Sequence, residues 1–236
     1  MIERVYDEEP ATGRTGSGRT SGPGRGSGRR EIDVGHVDFS GVPPATATKL
    51  RRRLAESAAA FEAERFGEAE RLLASIDRLA PGIAEVHEMK GLVYYRLGRW
   101  ARAITELERF SALTGSVEQH PVWADCCRAL GRWTEAEELW HELGDASPSP
   151  ELVEEGRIVQ AGGLADRGRI NDAIRLLEKA PRPNRAPAIH HLRRWYVLAD
   201  LYERSGDVAR ARRLFGELLA SEPQFADVAE RLAALS

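Results

Sequence analysis

The strongest constraint on this chain is a short pattern that recurs along most of its length. A glycine is followed two positions later by a large apolar residue and three positions after that by an alanine. The complete copies are Gly98, Trp100 and Ala103; Gly131, Trp133 and Ala136; Gly168, Ile170 and Ala173; and Gly206, Val208 and Ala211, while an earlier copy keeps only Phe66 and Ala69. Successive alanines lie 34, 33, 37 and 38 residues apart, a spacing typical of stacked helix–turn–helix units. The sequence therefore predicts an all-α solenoid of about five antiparallel helix pairs.

Residues 84–115 contain the clearest of these units, with the sequence AEVHEMKGLVYYRLGRWARAITELERFSALTG. Apolar residues recur every three or four positions on both sides of residues 97–100, which is the spacing of a helix with one buried face. We expect two amphipathic helices packed back to back, joined by a tight turn at Gly98.

Both ends of the predicted solenoid can be placed. Pro43 and Pro44 oppose an earlier helix start, so the first helix is expected to begin near Thr46 or Thr48, either of which could cap it. Residues 225–232 are expected to form a capping helix over the last apolar face. The predicted organisation is a tail and linker over residues 1–45, followed by a repeat domain over residues 46–236.

Composition narrows the class of protein. The formal net charge of −3 gives no general attraction to nucleic acid or to an anionic membrane. Cys126 and Cys127 are the only cysteines and are adjacent, which excludes a disulfide framework and favours a reducing compartment. The N-terminus has no apolar core of a signal peptide, and no stretch approaches the roughly 20 apolar residues of a membrane span. We expect a cytoplasmic protein that does not engage a membrane.

The tail has a strongly biased composition. Residues 11–30 include seven glycines and five arginines but no acidic or large apolar residue, which predicts disorder. Flexible arginines can also contact phosphates, so an alternative function is binding of RNA or DNA through the tail. The arginines concerned are Arg14, Arg19, Arg25, Arg29 and Arg30. The segment lacks the interleaved aromatic residues that would stack on bases.

No arrangement of residues predicts catalysis, a metal or a cofactor. The sequence has no phosphate-binding GxxxxGK, no GxSxG and no HExxH. Adjacent residues on a helix point about a hundred degrees apart, so Cys126 and Cys127 are poorly placed to hold one metal ion. Cys127 falls in the packed stripe and is expected to be a buried thiol. We expect a protein that is not an enzyme.

From about Leu50 onward the chain resembles tetratricopeptide repeat (TPR) proteins. In that family a small residue lies where the two helices of a unit cross, and a proline closes many units. The small residues here are Gly91 with Ala103, Ala124 with Ala136, Ala161 with Ala173, and Ala199 with Ala211, and the prolines are Pro81, Pro148 and Pro223. The resemblance implies a right-handed α-solenoid with a concave groove lined by the first helix of each unit.

The resemblance also implies a function, which is non-enzymatic binding of a protein or peptide segment in the groove. The residues expected to face it are Glu85, Glu88, Tyr95, Arg96, Asp125, Arg128, Asp166, Arg193, Tyr196, Asp200 and Arg204. This mixed set of charges with two tyrosines suits an extended or helical segment that carries charge and an apolar anchor. A clamp for chaperone C-terminal tails is disfavoured, because the only lysines are Lys49, Lys90 and Lys179 and both asparagines lie outside first helices.

Overall fold

The structure is a computed structural model that describes residues 37–146, 148–184 and 186–235, so the predicted disordered tail lies almost wholly outside it. The described residues form eleven helices and no strand. The helices are α1 Pro44–Glu62, α2 Phe66–Asp77, α3 Ala84–Arg96, α4 Trp100–Thr114, α5 His120–Ala129, α6 Trp133–Ala146, α7 Pro150–Asp166, α8 Ile170–Glu178, α9 Ile189–Arg204, α10 Val208–Ser221 and α11 Val228–Ala234. None of these helices is both long enough and apolar enough to cross a bilayer.

The described residues belong to two compact units. The N-terminal unit holds residues up to Leu152, and the C-terminal unit starts at Val153. In the N-terminal unit, α1 packs on α2, α3 on α4, and α5 on α6, and the pairs stack through α2 with α3 and α4 with α5. In the C-terminal unit, α8, α9 and α10 each pack on the next helix. Short turns between packed helices make the pairs antiparallel, which confirms the predicted all-α architecture.

The turn inside each pair has a left-handed residue. Gly98 has a φ of 66°, and the glycines at the equivalent turns also have positive φ values. In the first pair this place is taken by Glu64, with a φ of 58°. A side chain at positive φ costs about 1 kcal/mol or more, so the pair that lacks the glycine keeps the turn at a cost in stability.

The small residues lie where the sequence predicted. A Cβ atom added to Gly91 in α3 would overlap with the Leu107 side chain of α4, so only glycine lets these helices approach so closely. Ala103, Ala173 and Ala211 are fully buried at the start of second helices. These alanines therefore lie inside the packed helices, as the repeat pattern predicted, while the close approach at Gly91 is to Leu107.

The start of the first helix differs from the prediction. Helix α1 begins at Pro44, and no side chain caps it. Thr48, one of the two expected caps, instead donates its hydroxyl to the Pro44 carbonyl oxygen one turn earlier. The prediction was wrong because proline needs no N–H acceptor in the first turn and has a φ that already suits a helix.

The chain in front of α1 is also packed. Val37 and Phe39 are buried and belong to the same apolar cluster as Leu50 and Leu54 of α1. The Arg51 guanidinium lies over the Phe39 ring, 5.6 Å from its centroid. These contacts place structured residues ahead of the position where the repeat domain was predicted to begin.

Candidate functional site

The first helices of the N-terminal unit are neighbours, since α3 contacts both α1 and α5. Side chains of α3 that do not enter the pair's own core reach toward these two helices. We call the surface made by Glu85, Glu88, Tyr95 and Arg96 of α3 with Asp125 and Arg128 of α5 the α3 face.

Tyr95 lies at the centre of the α3 face. Its hydroxyl donates to Asp125 Oδ2 at 2.8 Å, and Arg128 Nε donates to Asp125 Oδ1 at 2.7 Å. The Tyr95 ring packs edge-on against Trp100, with centroids 5.4 Å apart. Asp125 is only 8% exposed, so these two donors satisfy a carboxylate that is largely removed from water. Tyr95 itself stays partly exposed.

The remaining α3 residues link this helix to its neighbours. Arg96 donates to Glu64 Oε1 at 3.1 Å, and its guanidinium lies 4.8 Å from the centroid of Phe66. Glu88 accepts a hydrogen bond from Gln119 Nε2 at 2.7 Å. Glu85 is half-buried at the start of α3. The α3 face therefore combines carboxylates, arginines and an aromatic edge on one fixed surface.

The matching surface of the C-terminal unit is occupied. We call the surface made by Arg193, Tyr196, Asp200 and Arg204 the α9 face. Tyr196 and Asp200 are each only 4% exposed. The chain after α10 lies across these two residues, so the centre of the α9 face is covered by the protein itself.

Residues 225–231, which we call the covering segment, contact the α9 face through three side chains. Tyr196 donates to Asp227 Oδ1 at 2.6 Å, and the Phe225 ring packs edge-on against Tyr196 at 6.1 Å between centroids. Arg231 donates to Asp200 Oδ1 at 2.9 Å and to Glu203 at 2.6 Å.

The burial of the α9 face and its contacts with the covering segment shift the pKa values of Tyr196 and Arg231. Burial, together with the hydrogen bond to Asp227, raises the pKa of Tyr196 to about 12. Burial alone would lower the pKa of Arg231, but hydrogen bonds to Glu203 and Asp200 outweigh it and hold that pKa above its ordinary value. The tyrosine thus stays neutral and the arginine charged at neutral pH.

Comparisons with known proteins agree with this architecture. Residues 192–235 match the family model of the tetratricopeptide repeat. The fold is similar to that of a thermophilic TPR protein of Thermus thermophilus, with a TM-score of 0.60 and 18% identity over 79% of this chain and 98% of that one. It is also similar to MamA AMB-1, with a TM-score of 0.50 and 20% identity over 76% of this chain and 98% of that one. A search of curated sequences finds no match.

The chain has the TPR fold. Within it, the predicted groove residues fall into two sets that differ in exposure. Glu85, Glu88, Tyr95 and Arg96 remain half-buried on the α3 face, whereas Tyr196 and Asp200 lie beneath the covering segment. The sequence alone could not distinguish the two sets, because each residue belongs to the first helix of a TPR unit.

The other predicted residues of the C-terminal unit are less buried than Tyr196 and Asp200. Arg193 is half-buried and donates to Glu155 Oε1 of α7 at 2.7 Å. Arg204 is exposed, with its NH1 atom 3.6 Å from Asp200 Oδ2. Asp166 is exposed at the end of α7. The five tail arginines lie outside the described residues, so their contact with nucleic acid stays a prediction.

Sequence reasoning predicted the final helix but not what it covers. Phe225, Asp227 and Arg231 were assigned only to a cap. A signal was nevertheless present, since Asp227 follows Tyr196 and Arg231 follows Asp200 by the same 31 residues. This interval is close to the 30 residues between Tyr95 and Asp125, which indicates that the covering segment stands where the next first helix of a TPR array would stand.

Neither cysteine lies in an environment that would make its thiol reactive. Both are fully buried, which confirms the prediction for Cys127. Burial raises the pKa of both thiols, that of Cys127 to about 11 with a further contribution from Glu135. Among residues 37–235 that the structure describes, no three His, Cys, Asp or Glu side chains are grouped so that they could hold a metal ion.

Proposed function

We propose that this TPR protein is a non-enzymatic interaction module that binds a segment of another protein on the α3 face. The observation that carries the proposal is the contrast in exposure between the two faces. Tyr95 and its charged neighbours stay within reach of a partner, while the equivalent surface around Tyr196 is filled by the chain's own covering segment.

The chemistry of the α3 face favours a particular kind of partner. Glu85 and Glu88 provide negative charge near the start of α3, and Arg96 provides positive charge at its end. Tyr95 provides an aromatic edge between them, and aromatic and arginine side chains make the largest contributions to binding at interfaces. A helical or extended segment with a basic end, an apolar anchor and an acidic end would match this order of charges.

Contacts within the protein hold the side chains of the α3 face in place before a partner binds. Arg96 is held by Glu64 and by the Phe66 ring, and Tyr95 is held by Asp125. A surface whose side chains are fixed before binding loses less conformational entropy when a partner arrives. The α3 face is therefore better suited to selective binding than a set of unrestrained surface charges.

The experiment uses the full chain to capture a partner from lysate, followed by measurement of the identified partner's affinity for variants. Glu85→Arg and Arg96→Ala, each alone, should weaken binding roughly tenfold or more. The matched controls are Glu108→Arg and Arg102→Ala, which make the same changes at exposed positions of α4. Equal affinity for all four variants would contradict the proposal.

The nucleic-acid alternative rests on the composition of residues 11–30 and has its own test. If the tail binds RNA or DNA, deletion of residues 1–36, which keeps the buried Val37 and Phe39, should abolish binding and its steep dependence on salt concentration. Binding that survives the deletion, or that is insensitive to salt, would contradict it.

A further inference from the structure

A surface depression of the N-terminal unit lies between α2, α3 and α4. It is a shallow depression, open to solvent, with a volume of about 360 Å³, and it is lined by Asp77, Arg78, Pro81, Gly82, His87 and Arg109. This volume is at the small end of the range of ligand pockets. Most of its lining surface is apolar, but four of the six lining residues have charged or ionisable side chains, and two of these are arginines.

Next to the depression is a network of charges in which Lys90, Glu106 and His87 are buried and Asp77 is half-buried. Lys90 Nζ lies 2.8 Å from Asp77 Oδ2 and 2.8 Å from Glu106 Oε1, and His87 Nδ1 lies 2.6 Å from Glu106 Oε2. A buried carboxylate held by several donors is satisfied and stays in place. Both carboxylates of the network are thus already neutralised by partners within the protein.

The network fixes the orientation of the His87 ring. Because an ionised carboxylate only accepts hydrogen bonds, the proton on the Glu106 side must be on Nδ1. The other ring nitrogen, Nε2, has no hydrogen-bond partner among the described residues, yet it is not one of the atoms sealed from solvent. Since His87 lines the depression, Nε2 is its accessible polar atom.

The charges around the depression favour an anion. Arg78 and Arg109 are exposed and lie at its rim, and Lys90 lies behind it. Asp77 and Glu106 are the carboxylates of the same cluster, so the three cations outnumber them by one before His87 takes up a proton. Arginine is the residue best suited to bind planar or tetrahedral oxyanions through paired N–H groups.

We propose that this depression is a binding site for a tetrahedral oxyanion, such as sulfate or a phosphate group, held by Arg78, Arg109 and protonated His87 Nε2. Binding takes up a proton, because Nε2 of a neutral ring with its proton on Nδ1 is an acceptor and cannot donate to an anion. The site lies on the side of α3 that packs against α4 and is separate in chemistry from the α3 face.

Proton uptake predicts the dependence on pH. The charged groups that face His87 are Glu106 and Arg109 from α4, Lys90 from α3, and Asp77 and Arg78 from the α2 end. The dependence is to be measured between about pH 6 and pH 8. Affinity for sulfate, whose charge is constant over this range, should therefore increase as the pH falls. Phosphate monoesters change charge in the same range, so sulfate is the cleaner probe for this dependence.

The test is an NMR titration of the full chain with inorganic sulfate, followed through the imidazole signals of His87 at constant ionic strength. The expected result is a saturable shift at roughly millimolar sulfate that is tighter at pH 6 than at pH 8. Arg109→Gln should weaken binding about tenfold, the loss of one charge-assisted contact. Arg102→Gln removes the same charge from an exposed position on the same helix and should leave the affinity unchanged.

Two further measurements identify the source of the bound anion and exclude a non-specific effect of salt. O-phosphoserine should compete with sulfate if the site accepts a phosphate group on an organic molecule, while competition by inorganic phosphate alone restricts it to free ions. A shift that does not saturate, or that is the same in Arg109→Gln and Arg102→Gln, would overturn the proposal. Both arginines are exposed, so these variants test binding without loss of the fold.

Discussion

Tyr95 in the N-terminal unit and Tyr196 in the C-terminal unit make the same bond in different settings. Each donates its hydroxyl to an aspartate some 30 residues later, Tyr95 to Asp125 at 2.8 Å and Tyr196 to Asp227 at 2.6 Å. Asp125 belongs to the first helix of the next TPR unit, whereas Asp227 belongs to the covering segment. The unit that contains α9 therefore satisfies its polar face with the covering segment, whereas the unit that contains α3 uses the first helix of the next pair.

The difference shows what the covering segment adds to the α9 face. A solenoid must cover its last face, and usually an amphipathic helix covers the apolar part. Here the cover also neutralises a buried carboxylate, since Arg231 reaches Asp200 and Glu203.

Arg231→Met should cost the most. It leaves Asp200, whose side chain is 6% exposed, with only the 3.6 Å approach of Arg204. Removal of one partner from a buried ion pair destabilises by about 3 kcal/mol, measured by urea unfolding, and α11 should lose protection from hydrogen exchange. Arg204→Met is the control and should cost less than about 1 kcal/mol, because this arginine is exposed. Equal losses in the two variants would show that the cover does not depend on Arg231.

The two tyrosines should respond differently to removal of the hydroxyl. Tyr95→Phe leaves the buried Asp125 with one donor fewer and should cost about 2 kcal/mol. Tyr196→Phe should cost about 1 kcal/mol, because Asp227 is partly exposed and water can replace the lost donor. Urea unfolding of both variants measures the difference. The reverse order would mean that the covering segment is held more tightly by Asp227 than its exposure indicates.

Alkaline pH should weaken the C-terminal unit. The pKa values of Tyr196 and Tyr202 are each raised to about 12, mainly by burial, with hydrogen bonds to Asp227 and Glu178 adding to it. The unfolded chain releases these protons first, so their contribution is complete below about pH 10 and is lost as the pH rises toward 12. Ultraviolet titration should show both tyrosines ionising late, and Tyr196→Phe should remove one of them. Ionisation of all tyrosines near pH 10 in the folded protein would contradict this.

The turn of the first pair gives the smallest effect. Glu64→Gly should stabilise the N-terminal unit by about 1 kcal/mol or less, because glycine removes the cost of positive φ that Glu64 bears. Part of the gain is offset by loss of the exposed ion pair with Arg96. Thermal unfolding compared with Glu56→Gly, a change at an exposed position inside α1 that also removes an exposed ion pair and should destabilise, separates the turn effect from a general effect of glycine.

Most of the fold could be predicted from the sequence, but less of the candidate site could. The left-handed turns and the buried alanines follow from residue type, so Gly98 and Ala103 could be placed from the repeat alone. Exposure of a first-helix residue depends instead on what lies above it. Tyr95 and Tyr196 have the same local pattern, and only tertiary packing of Phe225 and Arg231 distinguishes an open face from a covered one. The pairing of His87 with Glu106, 19 residues apart, likewise arises from the contact of two helices rather than from a motif.

The central claim is that the chain meets its partner through the α3 face and not through the α9 face. The most direct measurement is photo-crosslinking, with benzoylphenylalanine replacing Glu85, Arg204 or Glu108 in separate full-length variants in cells. A discrete adduct is expected from the Glu85 variant and none from the variants at Arg204 and Glu108. An adduct from the Arg204 variant without one from the Glu85 variant would contradict it.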